Sequence, residues 1–198
     1  MTDYAQVFQG LYATDDPYGF RDRWYEQRKR ALLLGSLRHK RYARAWELGC
    51  SNGELTAELA ERCGVVYATD LSPRAVELAR ERNAQRSNVQ ISQAVHPEQW
   101  PLGQFELIVF SEVGFYLSQD RLADVVGKLT ATLTTDGLLV AAHWTRPFPE
   151  GSMSGAAVHA AIREITNLPC VFKYEDGDFL LEGWSTEALT IAEQEGIA

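Results

Sequence analysis

The sequence predicts an α/β protein whose core is a doubly wound, mostly parallel sheet of seven strands that closes on an antiparallel hairpin. Short apolar runs alternate with segments of helical periodicity over residues 41–143, which indicates strands joined by helical crossovers. Two further runs, residues 169–174 and 178–184, flank Glu175-Asp176-Gly177 and predict the hairpin. At 198 residues the chain is long enough for one such domain and too short for two.

The segment before the first strand is predicted to be helical. The pattern favours a short helix over residues 4–13, a proline-bearing loop, and a long helix over residues 21–37. The long helix carries Trp24 and Arg28 on one side, and an aromatic and basic helix in this position is expected to cover a ligand pocket. Residues 1–40 are therefore interpreted as a lid, with packing against the sheet as the alternative for Trp24.

The stretch that organises the chain is residues 43–56. An apolar run closes on Glu47, small residues follow, and helical spacing then begins, which predicts a strand, a tight turn and a helix. Small side chains in such a turn let the backbone approach a ligand at the carboxyl end of the strand. The small residues of this turn are Gly49, Cys50, Ser51 and Gly53.

A second acid is expected beside this turn. The next apolar run, residues 65–69, ends at Asp70, and parallel strands bring their carboxyl ends to the same edge of a sheet. Two carboxylates at that edge suit a ribose with two free hydroxyls. The spacing differs from Gly-x-Gly-x-x-Gly, and the alternative interpretation is a Rossmann-type turn for a nicotinamide or flavin cofactor.

The middle of the chain continues the alternation. Ser72 and Pro73 predict the start of a helix that runs to about Gln85, and residues 88–95 predict the third strand. Residues 105–110 form a nearly continuous apolar run, as is typical of a central strand buried on both faces.

The last third of the chain departs from this alternation. Ser118 is expected to cap a helix, and Asp136-Gly137 to turn the chain into the fifth strand over residues 138–143. Residues 144–167 combine a proline-rich loop with a helix near residues 155–165, and an insertion at this edge of a sheet is expected to cover a substrate. Residues 168–198 are interpreted as the closing strands and a tail.

Polar side chains follow the fourth and fifth strands where each strand ends. Ser111, Glu112 and Tyr116 come directly after the fourth strand, and His143 ends the fifth. If these strands are neighbours in the usual order, Glu112 and His143 face the same crevice. A carboxylate and an imidazole there could bind an amine and accept its proton.

Composition limits the classes of partner. The formal net charge of −8 gives no electrostatic case for a nucleic-acid partner. No apolar run is long enough to span a membrane. The three cysteines, an odd number without metal-ligand spacing, predict neither a disulfide framework nor a metal site, and a cytoplasmic location is expected.

The residues at the two strand ends resemble those of a known family. The segments Glu47-Leu48-Gly49-Cys50 and Asp70 are similar to class I methyltransferases that use S-adenosyl-L-methionine. Residues 105–117, the helix around residues 25–28 and His143-Trp144 resemble the NodS-like (nodulation N-methyltransferase) family in particular. The resemblance implies a Rossmann-like fold, S-adenosyl-L-methionine as cofactor and a free amine, such as that of an amino sugar, as the methyl acceptor.

The resemblance also implies a set of cofactor-binding residues. Residues 47–53 would wrap the amino-acid portion of S-adenosyl-L-methionine, Asp70 would hold the ribose, and Arg28 is expected to reach inward to the cofactor carboxylate. The acid that many related enzymes carry at the end of the third strand is missing, so Val95 or His96 would have to meet the adenine by packing or backbone contacts. The full expected set is Trp24, Arg28, Glu47, Gly49, Cys50, Ser51, Gly53, Asp70, Leu71, Val95, His96 and Ser111.

The catalytic assignments rest on chemistry at the sheet edge. Glu112 is expected to bind the amine, His143 to act as the base and Tyr116 to orient the acceptor. The alternative for Glu112 is contact with the ammonium group of the cofactor. The alternatives for the other two are a structural role for His143 and a packed ring for Tyr116. Second-rank candidates are Asp15, Asp16, Tyr18 and His159, the last of which is interpreted as part of a polar helix face.

The predicted activity is N-methylation of a small acceptor such as an amino sugar, with no nucleic-acid or membrane partner. O-methylation of a small hydroxyl compound or carboxylate, and a non-catalytic module that binds S-adenosyl-L-methionine, are the alternatives. A non-catalytic partner of a deacetylase is a further alternative. The identity of the acceptor and the oligomeric state are left open by the sequence.

Overall fold

A computed structural model of the chain describes residue 12, residues 14–149 and residues 151–198. Apart from Tyr12, the short helix predicted over residues 4–13 lies outside the described residues. The helices are α1 (Trp24–Ser36), α2 (Glu54–Ala60), α3 (Pro73–Arg82), α4 (Gln119–Thr132), α5 (Gly155–Thr166) and α6 (Ile191–Gln194). The strands are β1 (Tyr42–Leu48), β2 (Cys63–Asp70), β3 (Val89–Gln93), β4 (Phe105–Ser111), β5 (Leu133–Trp144), β6 (Cys170–Glu175) and β7 (Phe179–Trp184).

The seven strands form one sheet in the order β3-β2-β1-β4-β5-β7-β6. Strands β1 to β5 run parallel to one another, whereas β7 pairs antiparallel with both β5 and β6. The predicted fold class is therefore confirmed, including the closing hairpin. The strand order reverses between β1 and β4, and ligands of doubly wound sheets bind in the crevice at that point.

The strands bury alternate side chains on the two faces of the sheet, because successive residues of a strand point to opposite sides. On one face, Leu107 and Val109 of β4 pack with Leu33 of α1 and Leu59 of α2. On the other face, the β4 core continues through the helices α4 and α5, and the large buried side chains there include Trp46, Phe105, Phe110 and Trp184. The sheet is thus a middle layer whose ends remain available for a site.

Several predicted boundaries are confirmed to within a few residues. Ser72 caps α3, where its Oγ accepts a hydrogen bond from the Ala75 N–H at 3.3 Å, and Ser118 caps α4 in the same way. The turn predicted at Asp136-Gly137 is wrong, since β5 begins at Leu133 and residues 134–137 form an irregularity within it, where the register against β4 shifts. Among the described residues, no helix combines the length and apolar character needed to cross a membrane.

Candidate active site

A cleft lies at the carboxyl ends of β1 and β4, beneath α1 and the segment that precedes it. Its wall from the sheet side consists of Glu47, Gly49, Cys50, Ser51, Asn52, Glu54, Leu55, Ser111 and Glu112. Its wall from the N-terminal side consists of Phe20, Glu26, Lys29, Arg30 and Leu33. The predicted turn and the predicted carboxylate of the fourth strand therefore share one cleft.

The turn between β1 and α2 depends on its glycines. Gly49 and Gly53 have φ angles of +84° and +80°, in the left-handed region that glycine occupies without steric cost. A Cβ atom at Gly49 would lie 2.2 Å from Cγ2 of Val113, and one at Gly53 would lie 2.9 Å from the Cα of Ala79. The turn is thus packed against the segment after β4 on one side and against α3 on the other.

The Glu47 carboxylate lies buried at the end of β1, with 3% of the residue exposed. Its Oε2 accepts a hydrogen bond from the Thr56 hydroxyl at 2.5 Å. Within the described part of the chain, no ammonium or guanidinium group forms an ion pair with Glu47. Burial raises the pKa of Glu47 to about 8, because the hydroxyl only partly replaces the lost hydration.

The Asp70 carboxylate bridges two turns at the end of β2. Its Oδ2 accepts the N–H of Ser51 and its Oδ1 accepts the N–H of Ser72, both at 2.9 Å. Burial raises the pKa of Asp70, while these backbone donors act in the opposite direction. Asp70 does not line the cleft itself, but it fixes Ser51, which does.

The loop that precedes α1 is held against this turn. Asp16 accepts hydrogen bonds from the Phe20 N–H at 2.8 Å and from the Asn52 amide at 3.1 Å, and Asp15 forms an ion pair with Arg74 at 2.7 Å. The Tyr12 hydroxyl and the Ser51 hydroxyl lie 2.7 Å apart. The loop therefore covers one end of the cleft. Of the second-rank candidates here, Asp15 and Asp16 anchor this loop, and Tyr18 packs against the ring of Phe20 at 5.2 Å.

Helix α1 turns a different face to the cleft than the sequence suggested. Trp24 is 73% exposed, and neither it nor Arg28 lines the cleft. The Arg28 guanidinium forms an ion pair with Asp176 at 2.8 Å and a hydrogen bond with Tyr174, at the β6–β7 hairpin. The expectation that Arg28 reaches inward is corrected: the inward-facing cations of α1 are Lys29 and Arg30.

The Glu112 carboxylate lines the cleft just after the end of β4, the strand that neighbours β1. The backbone of Glu112 is left-handed, with φ +57°, and its N–H donates to the Ala142 carbonyl at 2.9 Å. Oε2 accepts the Trp144 N–H at 3.1 Å, and Oε1 accepts a hydrogen bond from Lys29 Nζ at 2.9 Å. The end of β5 and the helix α1 together fix this carboxylate.

The Lys29 ammonium lies between two carboxylates and over an aromatic ring. Nζ is 2.9 Å from Glu112 Oε1, 3.0 Å from Glu26 Oε2 and 5.2 Å from the centre of the Tyr25 ring. Burial alone would lower the pKa of Lys29, but the two carboxylates outweigh it and raise the pKa. The cleft therefore contains two carboxylates, Glu26 and Glu112, that bind an ammonium group. In this structure that group belongs to Lys29 of α1.

The residues expected at the adenine lie outside the cleft. Val95 is 39% exposed, and the Leu71 carbonyl accepts a hydrogen bond from the Gln93 amide at 3.1 Å. The His96 ring is 3.0 Å from the Thr69 hydroxyl and packs edge-on against Trp46 at 5.3 Å. His96 is thus positioned by the core, and burial lowers its pKa to about 4.

The residues after Glu112 form a 3-10 turn, Gly114–Tyr116. The Tyr116 ring is half-buried and packs against Phe115 at 4.8 Å and Phe148 at 5.7 Å. Tyr116 is therefore a packed ring, which was the alternative to its predicted role in orienting the acceptor.

The proposed base is placed differently from the prediction. His143 is fully buried, and its Nε2 accepts a hydrogen bond from the Gly114 N–H at 3.1 Å. Its Nδ1 lies 3.1 Å from Nε2 of His159. Both ring nitrogens are occupied, and burial lowers the pKa of His143 well below its usual value, with His159 and Lys29 adding to the effect. His143 is therefore not a base facing the acceptor in this arrangement.

His159 also departs from the prediction. It is fully buried rather than part of a polar helix face, and its Nδ1 lies 2.8 Å from Glu182 Oε2. Sequence reasoning missed this network and the cleft residues Glu26, Lys29 and Arg30. The available signal was the helical spacing of Glu26, Lys29 and Arg30, which share one face of α1 with the apolar Leu33.

The chain is similar to proteins of known family. Residues 2–145 match the model of the family described as nodulation protein S (NodS). Nodulation protein S of Rhizobium tropici is 33% identical over 144 residues, which are 70% of this chain and 59% of that protein. The relative from Bradyrhizobium diazoefficiens is 33% identical over 137 residues, 68% of this chain and 66% of its own length. The match therefore spans somewhat less than two thirds of these curated relatives.

Solved structures share the fold. A crystal structure from Pseudomonas syringae, described as a candidate methyltransferase, is 45% identical, covers 82% of this chain and 99% of its own, and has a TM-score of 0.75. The N-methyltransferase NodS from Bradyrhizobium japonicum WM9, in complex with S-adenosyl-L-homocysteine, is 22% identical, covers 94% of this chain and all of its own, and has a TM-score of 0.81.

Proposed function

This chain belongs to the NodS family, and from that premise we propose that it is an S-adenosyl-L-methionine-dependent methyltransferase that methylates a free amine of a small acceptor. The similar structure from Bradyrhizobium japonicum WM9 is described as an N-methyltransferase in complex with S-adenosyl-L-homocysteine, the demethylated product of the cofactor. This description supports the choice of cofactor. An amino sugar is the acceptor class that the family resemblance favours.

The residues around the β1 turn fit this cofactor. A buried carboxylate without a cationic partner in the described chain, Glu47, suits an incoming ammonium group. The two left-handed glycines let the turn beside it pack closely against Val113 and Ala79. Asp70 lies next to the turn with lone pairs to spare for hydroxyl groups, since each of its oxygens accepts one of the backbone bonds described above. When bound, S-adenosyl-L-methionine supplies the methyl group as an electrophile on a sulfonium.

The single observation that carries the choice of an amine is the environment of Glu112. Its carboxylate, with that of Glu26, already holds an ammonium group, that of Lys29. An amine acceptor presents the same chemistry, so it can replace Lys29 against Glu112. Two carboxylates and one ammonium leave one negative charge at this wall, which favours a cationic acceptor.

The chain has two tasks in the reaction. It must hold the acceptor nitrogen in line with the transferred methyl group, because alignment supplies much of the rate enhancement of a displacement. It must also receive the proton that the nitrogen loses before its lone pair can attack. Glu112 serves both tasks: one oxygen is fixed by the Trp144 N–H, and the other faces the ammonium position.

The function is tested by turnover on matched acceptors. The chain is incubated with S-adenosyl-L-methionine and pairs of acceptors that differ only in an amine, for example a deacetylated chitooligosaccharide and its N-acetylated form. Formation of the demethylated cofactor with the free amine alone is the expected result, and mass spectrometry locates the methyl group. Methylation of a hydroxyl in both members of a pair indicates O-methylation, and cofactor binding without turnover on any acceptor indicates a binding module.

A further inference from the structure

A chain of buried polar side chains runs behind Glu112, from the 3-10 turn to the surface of α5. His143 and His159 are fully buried and Glu182 is 1% exposed. The links are Gly114 N to His143 Nε2 at 3.1 Å, His143 Nδ1 to His159 Nε2 at 3.1 Å, and His159 Nδ1 to Glu182 Oε2 at 2.8 Å. Arg163 closes the chain with an ion pair to Glu182 at 3.1 Å.

The direction of every hydrogen bond in this chain follows from its first link. A backbone N–H can only donate, so His143 Nε2 accepts and the proton of this neutral ring is on Nδ1. His159 Nε2 must then accept from His143, which puts the His159 proton on Nδ1, facing Glu182. One tautomer of each ring satisfies all the links, and both rings are neutral.

This arrangement argues against a proton path to the acceptor. A relay would need a ring nitrogen that faces the cleft and exchanges a proton with the acceptor. The chain ends instead at the amide N–H of Gly114, which holds its proton. Neither His143 nor His159 lines the cleft.

This series of hydrogen bonds ends at the turn that carries Glu112. Three hydrogen bonds tie this turn to the end of β5: Glu112 N–H to the Ala142 carbonyl, Gly114 N–H to His143, and Trp144 N–H to the Glu112 carboxylate. A left-handed backbone is unfavourable for glutamate and persists only where several contacts hold it. A Cβ at Gly114 would lie 2.4 Å from Val158 Cγ1 of α5, so the turn is also pressed against the insertion.

We propose that His143 is a positioning residue: through its hydrogen bond with Gly114, and backed by His159 and Glu182, it fixes the left-handed turn that aims the Glu112 carboxylate at the acceptor amine. This inference rests on the proposed role of Glu112. It makes the insertion helix α5 a support of the acceptor site, because α5 contributes His159 to this hydrogen-bonded series.

The test compares two substitutions of His143. His143→Gln retains an oxygen near the position of Nε2 that can accept the Gly114 N–H, whereas His143→Leu fills similar space without an acceptor. The Leu variant is expected to lower kcat/KM for the acceptor about 100-fold, with the dissociation constant of S-adenosyl-L-homocysteine changed less than about twofold, because only the acceptor carboxylate is displaced. The Gln variant is expected to retain activity within about fivefold of the parent.

If His143 were the base, Gln and Leu would be equally inactive, and that result would overturn the proposal. Should His143→Leu fail to fold, Glu182→Gln is the second variant: it keeps an oxygen for His159 Nδ1–H, removes the negative charge and is expected to retain the acceptor KM within about threefold. A loss of turnover with Glu182→Gln as large as that expected for the Leu variant would indicate a proton relay and contradict positioning.

A measurement without turnover separates this inference from the proposed function. Nitrogen-15 NMR of the parent protein is expected to show the Nδ1–H tautomer for both His143 and His159, with neither ring titrating between about pH 5 and pH 8. The charged groups that face these rings are Lys29, Glu112, Arg163 and Glu182. An Nε2–H tautomer at His143 overturns the proposal even if amines are methylated, whereas a failure to methylate any amine counts against the proposed function instead.

Discussion

The two halves of the cleft are built in opposite ways. The half at the end of β1 comes from one contiguous stretch within residues 47–55, which Asp70 of the next strand supports through its hydrogen bond with Ser51. The half at the end of β4 takes its charged groups from α1 and from Glu112, which follows β4. It takes a backbone N–H from the end of β5 and is backed by α5 and β7. A site made from residues that are neighbours in sequence can be predicted from a sequence pattern. A site assembled from distant elements can be predicted only in part.

The two glutamates show the same contrast in chemistry. Glu47 has a hydroxyl as its partner, and burial raises its pKa to about 8. Glu112 faces the Lys29 ammonium at 2.9 Å and a backbone N–H at 3.1 Å. Glu47 is the penultimate residue of β1 and Glu112 follows β4, the strand that pairs with β1. Glu47 has no cationic partner in the described chain, whereas Glu112 forms an ion pair with Lys29.

The largest expected effect separates the halves by function. Glu112→Gln preserves the shape of the side chain but removes the charge that, in the proposed function, holds the amine and receives its proton. We expect kcat/KM for the acceptor to fall by about 100-fold or more, the scale of general base catalysis, with cofactor affinity nearly unchanged. Calorimetry with S-adenosyl-L-homocysteine beside a methyl-transfer assay measures both.

A matched control is Glu164→Gln, an exposed glutamate on α5 outside the cleft. It is expected to leave both quantities as they are in the parent. A loss of cofactor affinity in Glu112→Gln would place Glu112 in the cofactor half and erase the division between the two halves.

The next effect concerns the pH dependence of stability. Because the folded-state pKa of Glu47 is raised, its protonated form is favoured by folding: the contribution is fully present below about pH 4.5 and is lost as the pH rises through about 8. Relative to Glu47→Gln, which resembles the protonated acid, the ligand-free parent is expected to lose about 5 kcal/mol of unfolding free energy over this window, since each of the roughly 3.5 pKa units contributes about 1.4 kcal/mol. Denaturant titrations at the two ends of the window measure the difference.

Parallel pH profiles for the parent and Glu47→Gln would show that Glu47 is ionised without cost in the folded protein. Its contrast with Glu112 would then disappear. A cationic cofactor should restore ionisation, so the pH dependence of the parent is expected to shrink when the cofactor is present.

The smallest expected effect tests the ribose side. Asp70→Asn keeps an oxygen for one of the two backbone donors but removes the charge, and we expect cofactor binding to weaken by about 2 kcal/mol, the scale for a hydrogen bond to a charged group. Titration calorimetry measures this change. Asp124→Asn, at an exposed position of α4, is the control, and equal affinity in the two variants would remove Asp70 from the cofactor site.

Much of the fold could be predicted because its signals are local. The strand at residues 105–110 is apolar throughout, and the caps of α3 and α4 are single serines before helical segments. The adjacency of Glu112 and His143 followed from strand order and is confirmed by the pairing of Ser111 with Ala142. The start of β5 was misjudged, because Asp136-Gly137 has the composition of a turn but lies within an irregular strand.

The contacts of the site could be predicted less well, because charged residues on a helix usually lie in water. Glu26, Lys29 and Arg30 are buried, so the helix phase inferred from Trp24 and Arg28 was the wrong one. His143 was predicted to lie beside Glu112, but its hydrogen bonds with Gly114 and His159 were not predicted, because the sequence does not bring these residues together.

Gly49 leaves no space between the turn after β1 and Val113, the residue that follows Glu112. A displacement of either backbone is therefore transmitted to the other through direct van der Waals contact, without an intervening side-chain network. We therefore expect binding of the proposed cofactor beside Gly49 to affect the position of Glu112 in the proposed acceptor site.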